Sequence, residues 1–417
     1  MTTLAALRQT TRATLCAECG KCTSVCPLAP WGCSPREIVA GLTAADADGG
    51  LRHCLTCGAC EQRCPQGVRF GELMRGARRL LVRDAQGASC PHGGAPQAFM
   101  HVMARGEWPQ KRLGWLQGLE THAEHGEVFY WTGCAAHYDA FFADLAPTTL
   151  DGPRAAVHLL NRLGIVPVVS PEERCCGHDL LWNGDREGFE ALARHNVELL
   201  VRSGAETLVT SCAECLRTWR LDYAPLLPAA PPRRMHISEL LAERLPELAF
   251  RGDVPRKVTF QDPCRLGRHL GVYDAPRMVL AALPGVELTE MARSAGRAQC
   301  CAGGTWLHCD GAARQLQVER LHEARATGAQ VLVTACPKCR IHLRCAMRHA
   351  APAQDVSIEV RDVAELVADA LTPAPTDPVP SPGPTDPAPS PRLQGEAQGE
   401  GLPGAGPQGG PHAFPDC

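Results

Sequence analysis

Between residues 128 and 370 the hydrophobic positions keep two rhythms in turn. Short runs that are apolar or β-branched at nearly every position, such as "LVTS" (208–211) and "VLVTA" (331–335), have the length of buried strands. Between such runs the apolar residues take helical spacing. In "FEALARHNVELLVRSG" (189–204), Phe189, Leu192, Val197, Leu200 and Val201 share a face, and Gly204 stands where a C-cap belongs. "AARQLQVERLHEARATG" (312–328) repeats the pattern. The alternation predicts an α/β plan in which loops at the carboxyl ends of the strands converge. Upstream, Ser34, Pro35 and Glu37 supply an N-cap, an N1 proline and a capping-box glutamate, so a helix is expected there. No apolar run approaches the eighteen or more residues of a membrane helix.

The two-rhythm region is written twice. "VFYWTGC" (128–134) matches "VTFQDPC" (258–264), "RCCGHDL" (174–180) matches "QCCAGGT" (299–305), and "ETLVTSCAEC" (206–215) matches "QVLVTACPKC" (330–339). The copies end alike, in "HISELLAERL" and "VRDVAELVADAL". The matched positions place a lone Cys, a Cys pair and a C-x-x-C just after strands, where one rim would collect them.

Composition narrows the chemistry. The chain has 417 residues and 23 cysteines, is 45% hydrophobic, and carries a net charge of -3. A core of this size needs no disulfide staples, and the N-terminus has no charged region followed by an apolar one. The thiols are therefore expected in a reducing cytosol. No basic stripe gives footing to nucleic acid, and no G-x-G-x-x-G or Walker-type loop marks a flavin, NAD or ATP site, so electrons must come from another chain.

The cysteines fall into two constellations. "CAECGKCTSVCP" (16–27) and "CLTCGACEQRCP" (54–65) are each C-x2-C-x2-C-x3-C-P, the bacterial ferredoxin run in which the fourth Cys reaches the other cluster. That pattern assigns Cys16, Cys19, Cys22 and Cys64 to one [4Fe-4S] cubane, and Cys54, Cys57, Cys60 and Cys26 to the other. Zinc, the alternative, fits three cysteines at two-residue gaps poorly. The second constellation is one five-cysteine set per repeat.

Ferredoxin run, ferredoxin run, then two C...CC...C-x-x-C repeats: over about 16–370 this chain resembles the D-type iron-sulfur subunit of heterodisulfide reductase. It is similar also to the iron-sulfur subunits of glycolate, lactate and anaerobic glycerol-3-phosphate dehydrogenases. The resemblance implies ligand sets Cys134, Cys175, Cys176, Cys212, Cys215 and Cys264, Cys300, Cys301, Cys336, Cys339. These would hold one or two further, noncubane [4Fe-4S] clusters as the disulfide-cleaving centre, with zinc an alternative in one domain. It further implies an iron-sulfur oxidoreductase subunit that reduces a disulfide-type substrate. The alternative is an electron-transfer subunit between a flavoprotein dehydrogenase and quinone or a membrane cytochrome b. Either partner would bring a chain with no span of its own to the inner face of a membrane.

The expected architecture is α/β with an N-terminal all-α domain. It comprises a helical two-cluster ferredoxin module (1–90), a linker (91–127), two cysteine-rich (CCG) α/β domains (128–250 and 251–371) and a disordered Pro/Gly-rich tail (372–417). One departure stands out: the glycine after the Cys pair is Gly177 in the first repeat but Ala302 in the second. Cys33, Cys90, Cys309, Cys345 and Cys417 fit neither constellation; Cys309, after His308, is a candidate to line the second site. His137, His178 and His269 lie beside motif cysteines as candidate proton donors, though a hydrogen-bonded structural role is the simpler expectation. Trp131, Trp182, Trp219 and Trp306 are expected to pack.

Overall fold

The computed structural model describes residues 3–42, 48–81, 91–106, 112–145, 149–251, 256–306, 309–350 and 355–372. The tail beyond 372, Cys90, Cys417 and His308 lie outside the described residues. The helices, in chain order, are α1 Leu4–Thr10, α2 Pro35–Gly41, α3 Asp48–His53, α4 Ala59–Arg63, α5 Phe70–Leu81, α6 Ala95–Arg105, α7 Ala135–Phe141 and α8 Asp151–Arg162. They continue with α9 His178–Asn183, α10 Arg186–Ser203, α11 Ala213–Arg217, α12 Ile237–Arg244, α13 Asp274–Ala281, α14 Gly311–Arg325, α15 Pro337–His349 and α16 Val363–Ala370.

Two parallel sheets carry the repeats. In the first, β1 (Val128–Trp131), β2 (Thr207–Thr210) and β3 (Arg233–His236) lie in that order, and Val168 adds a parallel bridge to Phe129 at the outer edge of β1. In the second, β4 (Arg256–Gln261), β5 (Val286–Leu288), β6 (Val331–Thr334) and β7 (Glu359–Asp362) run in the order β5-β4-β6-β7. With the Val168 bridge taken as the counterpart of β5, the two orders are the same. Helices cover both faces, so β6 is buried at all four positions, which is why it reads as an unbroken apolar run.

The repeats do not stand apart. α8 packs on α16 and α12 on α13. Because α8 corresponds to α13 and α12 to α16, these pairings relate the copies by an approximate two-fold axis. Leu159, Leu160, Leu240, Leu241, Val279, Leu280, Leu366 and Val367 from the four helices join one buried core. This packing turns the carboxyl ends of β2 and β6 toward each other, and His236 Nε2 at the end of β3 lies 3.1 Å from the carbonyl of Ala335.

The described part of residues 3–81 contains helices and turns without a strand. α2 opens on the expected capping box, with Ser34 Oγ accepting from Glu37 N (3.3 Å) and Glu37 Oε2 accepting from Ser34 N (3.2 Å). α5 packs between α1 and α9. Its buried Arg78 donates to the carbonyls of Leu51 (2.8 Å), Cys54 (2.7 Å) and, across the junction, Trp182 (2.9 Å). The segment 91–127, expected as a linker, carries α6, whose Met100 and Met103 are buried in the core of the first repeat.

Candidate metal centres

In the N-terminal unit, Cys26, Cys54, Cys57 and Cys60 line one cavity with Leu28, Ile38, Leu55 and Phe70. The capped helix α2 supplies Pro35 and Ile38 to this wall, and Cys33 joins it. Burial pushes the thiols of Cys26, Cys54 and Cys60 up, and Cys33 up to about 12. Such a pocket favours thiolates only when a cation enters it. Of the other expected set, Cys19 is exposed, Cys16 and Cys22 are half-buried, and Cys64 Sγ accepts from Val68 N (3.5 Å). α4 packs on the turn Thr23–Val25, which sets the end of each run beside the other.

In the first repeat Cys134 is the N-cap of α7 and Cys212 the N-cap of α11. The Cys134 and Cys176 thiols each hydrogen-bond to Cys175, Cys215 stands 3.6 Å from Cys176, and the Cys212 and Cys215 thiols hydrogen-bond to each other. The loop before Cys134 is braced by buried Glu173, which accepts from Thr132 N (3.1 Å) and pairs with Arg112 (3.3 Å). Under the Cys pair, Asn196 Nδ2 donates to Cys175 O (2.9 Å) and Tyr223 OH to Cys176 O (2.9 Å). Tyr223 reaches this position because α11 runs into a π-helical turn, Thr218–Asp222. Met103 of α6 receives Cys175 N–H on its sulfur at 3.0 Å.

The second repeat repeats the plan. Cys264, Cys300, Cys301, Cys336 and Cys339 line one cavity, with Cys301 and Cys339 sulfurs 3.0 Å apart. Ala302 adopts φ 55°, the left-handed conformation that Gly177 takes at φ 71°. The backbone turn is therefore kept without the glycine, at a strain on the order of 1 kcal/mol.

The two five-thiol sets touch. Hydrogen bonds from Cys215 and Cys336 pull Cys212 down to about 6, so the C-x-x-C of one repeat meets that of the other. At the far end, Cys300 feels the charge of Cys57 in the N-terminal unit, and both line a groove with Cys26. The thiols thus form a series from the N-terminal cavity through the second set to the first. They stand in close pairs, but among the described residues no three lie within 4.8 Å of one another.

Around the meeting point lies a buried charge network. Lys338 Nζ donates to Asp179 Oδ1 (2.7 Å) and Oδ2 (2.8 Å) and lies 2.8 Å from Glu214 Oε2. Burial would raise the Asp179 carboxyl, but Lys338 and His178 outweigh it and hold it below the usual carboxylate range. Burial keeps His178 neutral. Its Nε2 accepts from Arg265 Nε (2.9 Å), so Nδ1 carries the proton and donates to Asp179 (3.0 Å). Arg265 also donates to Thr56 Oγ1 (2.6 Å) and lies 4.3 Å above the Trp182 ring. His178, Asp179 and Glu214 could be read as a metal site, but the Lys338 ammonium already fills the space between the carboxylates.

Of the histidines singled out, His178 and His269 belong to this network, His269 Nε2 lying 2.9 Å from Arg265 and 3.1 Å from Thr56 O. His137 packs instead on Phe99, ring centroids 4.0 Å apart. All four tryptophans are buried. Cys309 is not among the residues lining the second cavity; its thiol faces Cys345. Sequence reasoning passed over Asp179, Glu214, Arg265 and Lys338. A signal was present: Glu214 in "CAEC" and Lys338 in "CPKC" hold equivalent positions with opposite charge.

Comparison with known proteins fits this arrangement. The family model for a 4Fe-4S dicluster domain matches residues 10–65, and that for a cysteine-rich domain matches 128–220 and 258–344. The D-type subunit of the dihydromethanophenazine:CoB--CoM heterodisulfide reductase of Methanosarcina barkeri is 30% identical, over 85% of this chain and 93% of the relative. The EtfAB:quinone oxidoreductase of Syntrophomonas wolfei is 28% identical over 76% of this chain and 46% of its own length. In fold alone, a hypothetical protein from Helicobacter pylori aligns with a TM-score of 0.50 at 8% identity, covering 81% of this chain and 64% of that one.

Proposed function

The chain belongs to the family of the D-type iron-sulfur subunits of heterodisulfide reductase, and from that premise we propose that it is the disulfide-reducing component of a larger complex. The observation that carries the reading is that both five-thiol sets are complete and meet through Cys212 and Cys336. Cys16, Cys19, Cys22, Cys64 and Cys54, Cys57, Cys60, Cys26 would hold two [4Fe-4S] cubanes. Cys134, Cys175, Cys176, Cys212, Cys215 and Cys264, Cys300, Cys301, Cys336, Cys339 would hold the further clusters. Clusters bound there supply electrons one at a time, whereas a disulfide takes two. The chain's own residues do the rest: the buried network keeps water from the junction and fixes the Lys338 charge between the C-x-x-C loops. The substrate class is a disulfide, of which the CoB--CoM heterodisulfide in the relative's name is one example.

The likeness to EtfAB:quinone oxidoreductase favours a second reading, in which the same series passes electrons from a flavoprotein to a quinone-reducing partner or cytochrome b. Metal and sulfide analysis of anaerobically purified protein comes first. Four clusters predict about 16 Fe per chain and no zinc. A reduced viologen dye and a disulfide should then yield two thiols per two dye molecules oxidised. About 8 Fe with zinc in the repeats, and no thiol release, would overturn the disulfide reading in favour of the second.

A further inference from the structure

Outside both constellations, the thiols of Cys309 and Cys345 hydrogen-bond to each other, and His92 hydrogen-bonds to Cys309. Both cysteines are half-buried and His92 is exposed, so small solutes reach the pair. The hydrogen bond from Cys309 brings the Cys345 thiol down to about 7; Arg314 and Arg348 act in the same direction, and burial and the Asp144 carboxylate oppose them. This is the electropositive, partly exposed setting of reactive cysteines, unlike that of a buried structural thiol.

The pair also joins two pieces of the second metal centre. Cys309 ends the segment that follows Cys300 and Cys301, in which Ala302, Thr305 and Trp306 all take positive φ (55°, 60° and 56°). Cys345 lies on α15, whose first turn carries Cys339 and whose N-cap is Cys336. A bond between them would tie the strained ligand loop to the helix that presents the other two ligands.

We propose that Cys309 and Cys345 form a thiol-disulfide couple that a peroxide oxidises while the cluster ligands remain in place. Cys345 thiolate attacks a peroxide oxygen; the O–O bond breaks, and the hydroxide released takes up the proton the Cys345 thiol gave up and leaves as water, giving a sulfenic acid. Cys309 sulfur then attacks the sulfenic sulfur, the S–S bond forms, the S–O bond breaks and a second water leaves, His92 taking the Cys309 proton and returning it to the departing hydroxide. Two thiols lose two electrons and two protons, and one peroxide gains them.

The test uses the full-length, iron-loaded chain, treated with one equivalent of hydrogen peroxide, alkylated and digested with trypsin. The expected product is fragment 298–314 joined to fragment 345–348, with fragmentation placing the bond at Cys309, at unchanged iron content. Cys309→Ser and Cys345→Ser should each lose the cross-link while retaining wild-type iron before treatment. Cys309 and Cys345 remaining fully alkylated, a cross-link that persists through Cys300 or Cys301 in the Cys309→Ser variant, or iron loss preceding the bond would each overturn the proposal.

Discussion

At the scale of single residues, the decisive feature is a broken symmetry. Two-fold-related copies with identical C-x-x-C loops would set like charges against each other, whereas Glu214 and Lys338 meet as opposites at 2.8 Å. Asp179 is the third member and has no equivalent, because "GHD" in the first repeat corresponds to "AGG" in the second. Removing the ammonium leaves the buried Asp179 and Glu214 carboxylates without their cation, a change that costs about 3–5 kcal/mol. Lys338→Met should therefore lower the stability of the anaerobic holoprotein by that amount in denaturant titrations, while adding Asp179→Asn to it should restore part of the loss. The swap Glu214→Lys with Lys338→Glu should fail to rescue stability, since it sets a second carboxylate directly beside Asp179. Equal stability of swap and wild type would show that the pair acts alone. The ligand cysteines were legible from spacing, but this network was not: its one signal, opposite charges at equivalent positions of the two C-x-x-C loops, acquires meaning only when the facing of two repeats brings them together.

At the scale of elements, periodicity foretold the long pieces. α10 with its Gly204 cap, α14, and the capping box of α2 stand where the sequence put them. Pieces set by tertiary contact did not show. α6 opens directly on a Gly-Gly-Ala-Pro turn signal that reads as loop, and the π-helical turn at 218–222 is paired with nothing comparable in helix α15. The join between β3 and α12 carries a testable element. His236 ends β3 and caps α12, its Nδ1 accepting from Ser238 N (3.2 Å) while Nε2–H faces Ala335 O (3.1 Å). Burial, with Arg220 nearby, holds it down to about 4. Only the neutral ring can accept at Nδ1, so the unfolded chain binds a proton that the folded one refuses below its ordinary value near 6.5. The His236 contribution is thus fully present above pH 6.5 and is lost as pH falls from there toward 4, by up to about 3 kcal/mol. His236→Gln should flatten that part of the stability profile relative to wild type, measured by anaerobic denaturation at pH 7.5 and 5.5. Parallel profiles would mean that acid acts elsewhere.

At the scale of the whole molecule, the repeat announced two copies of one domain, and the ferredoxin runs announced a separate helical unit. How the three units meet had no sequence signature. Their joint is Arg265 of the second repeat, which donates to Thr56 of the N-terminal unit and to His178 of the first repeat, and covers Trp182. Its bonds are charge-assisted and buried, each worth about 1.5–3 kcal/mol when made. A methionine there keeps the stem and loses every one of them, and the removal of a buried charge offsets part of the loss. Arg265→Met is therefore expected to weaken docking by about 3 kcal/mol without unfolding either sheet. In the wild type, tryptophan fluorescence and iron-sulfur absorbance should fall together as denaturant rises, because the units share one cooperative structure. In the variant, fluorescence from Trp182 should change first, and electron transfer between the N-terminal unit and the repeats should slow while iron content stays constant. Coincident transitions at an unchanged midpoint would place the joint at other residues that cross between units, Arg78 and Arg268 among them, and leave Arg265 as a local partner of His178.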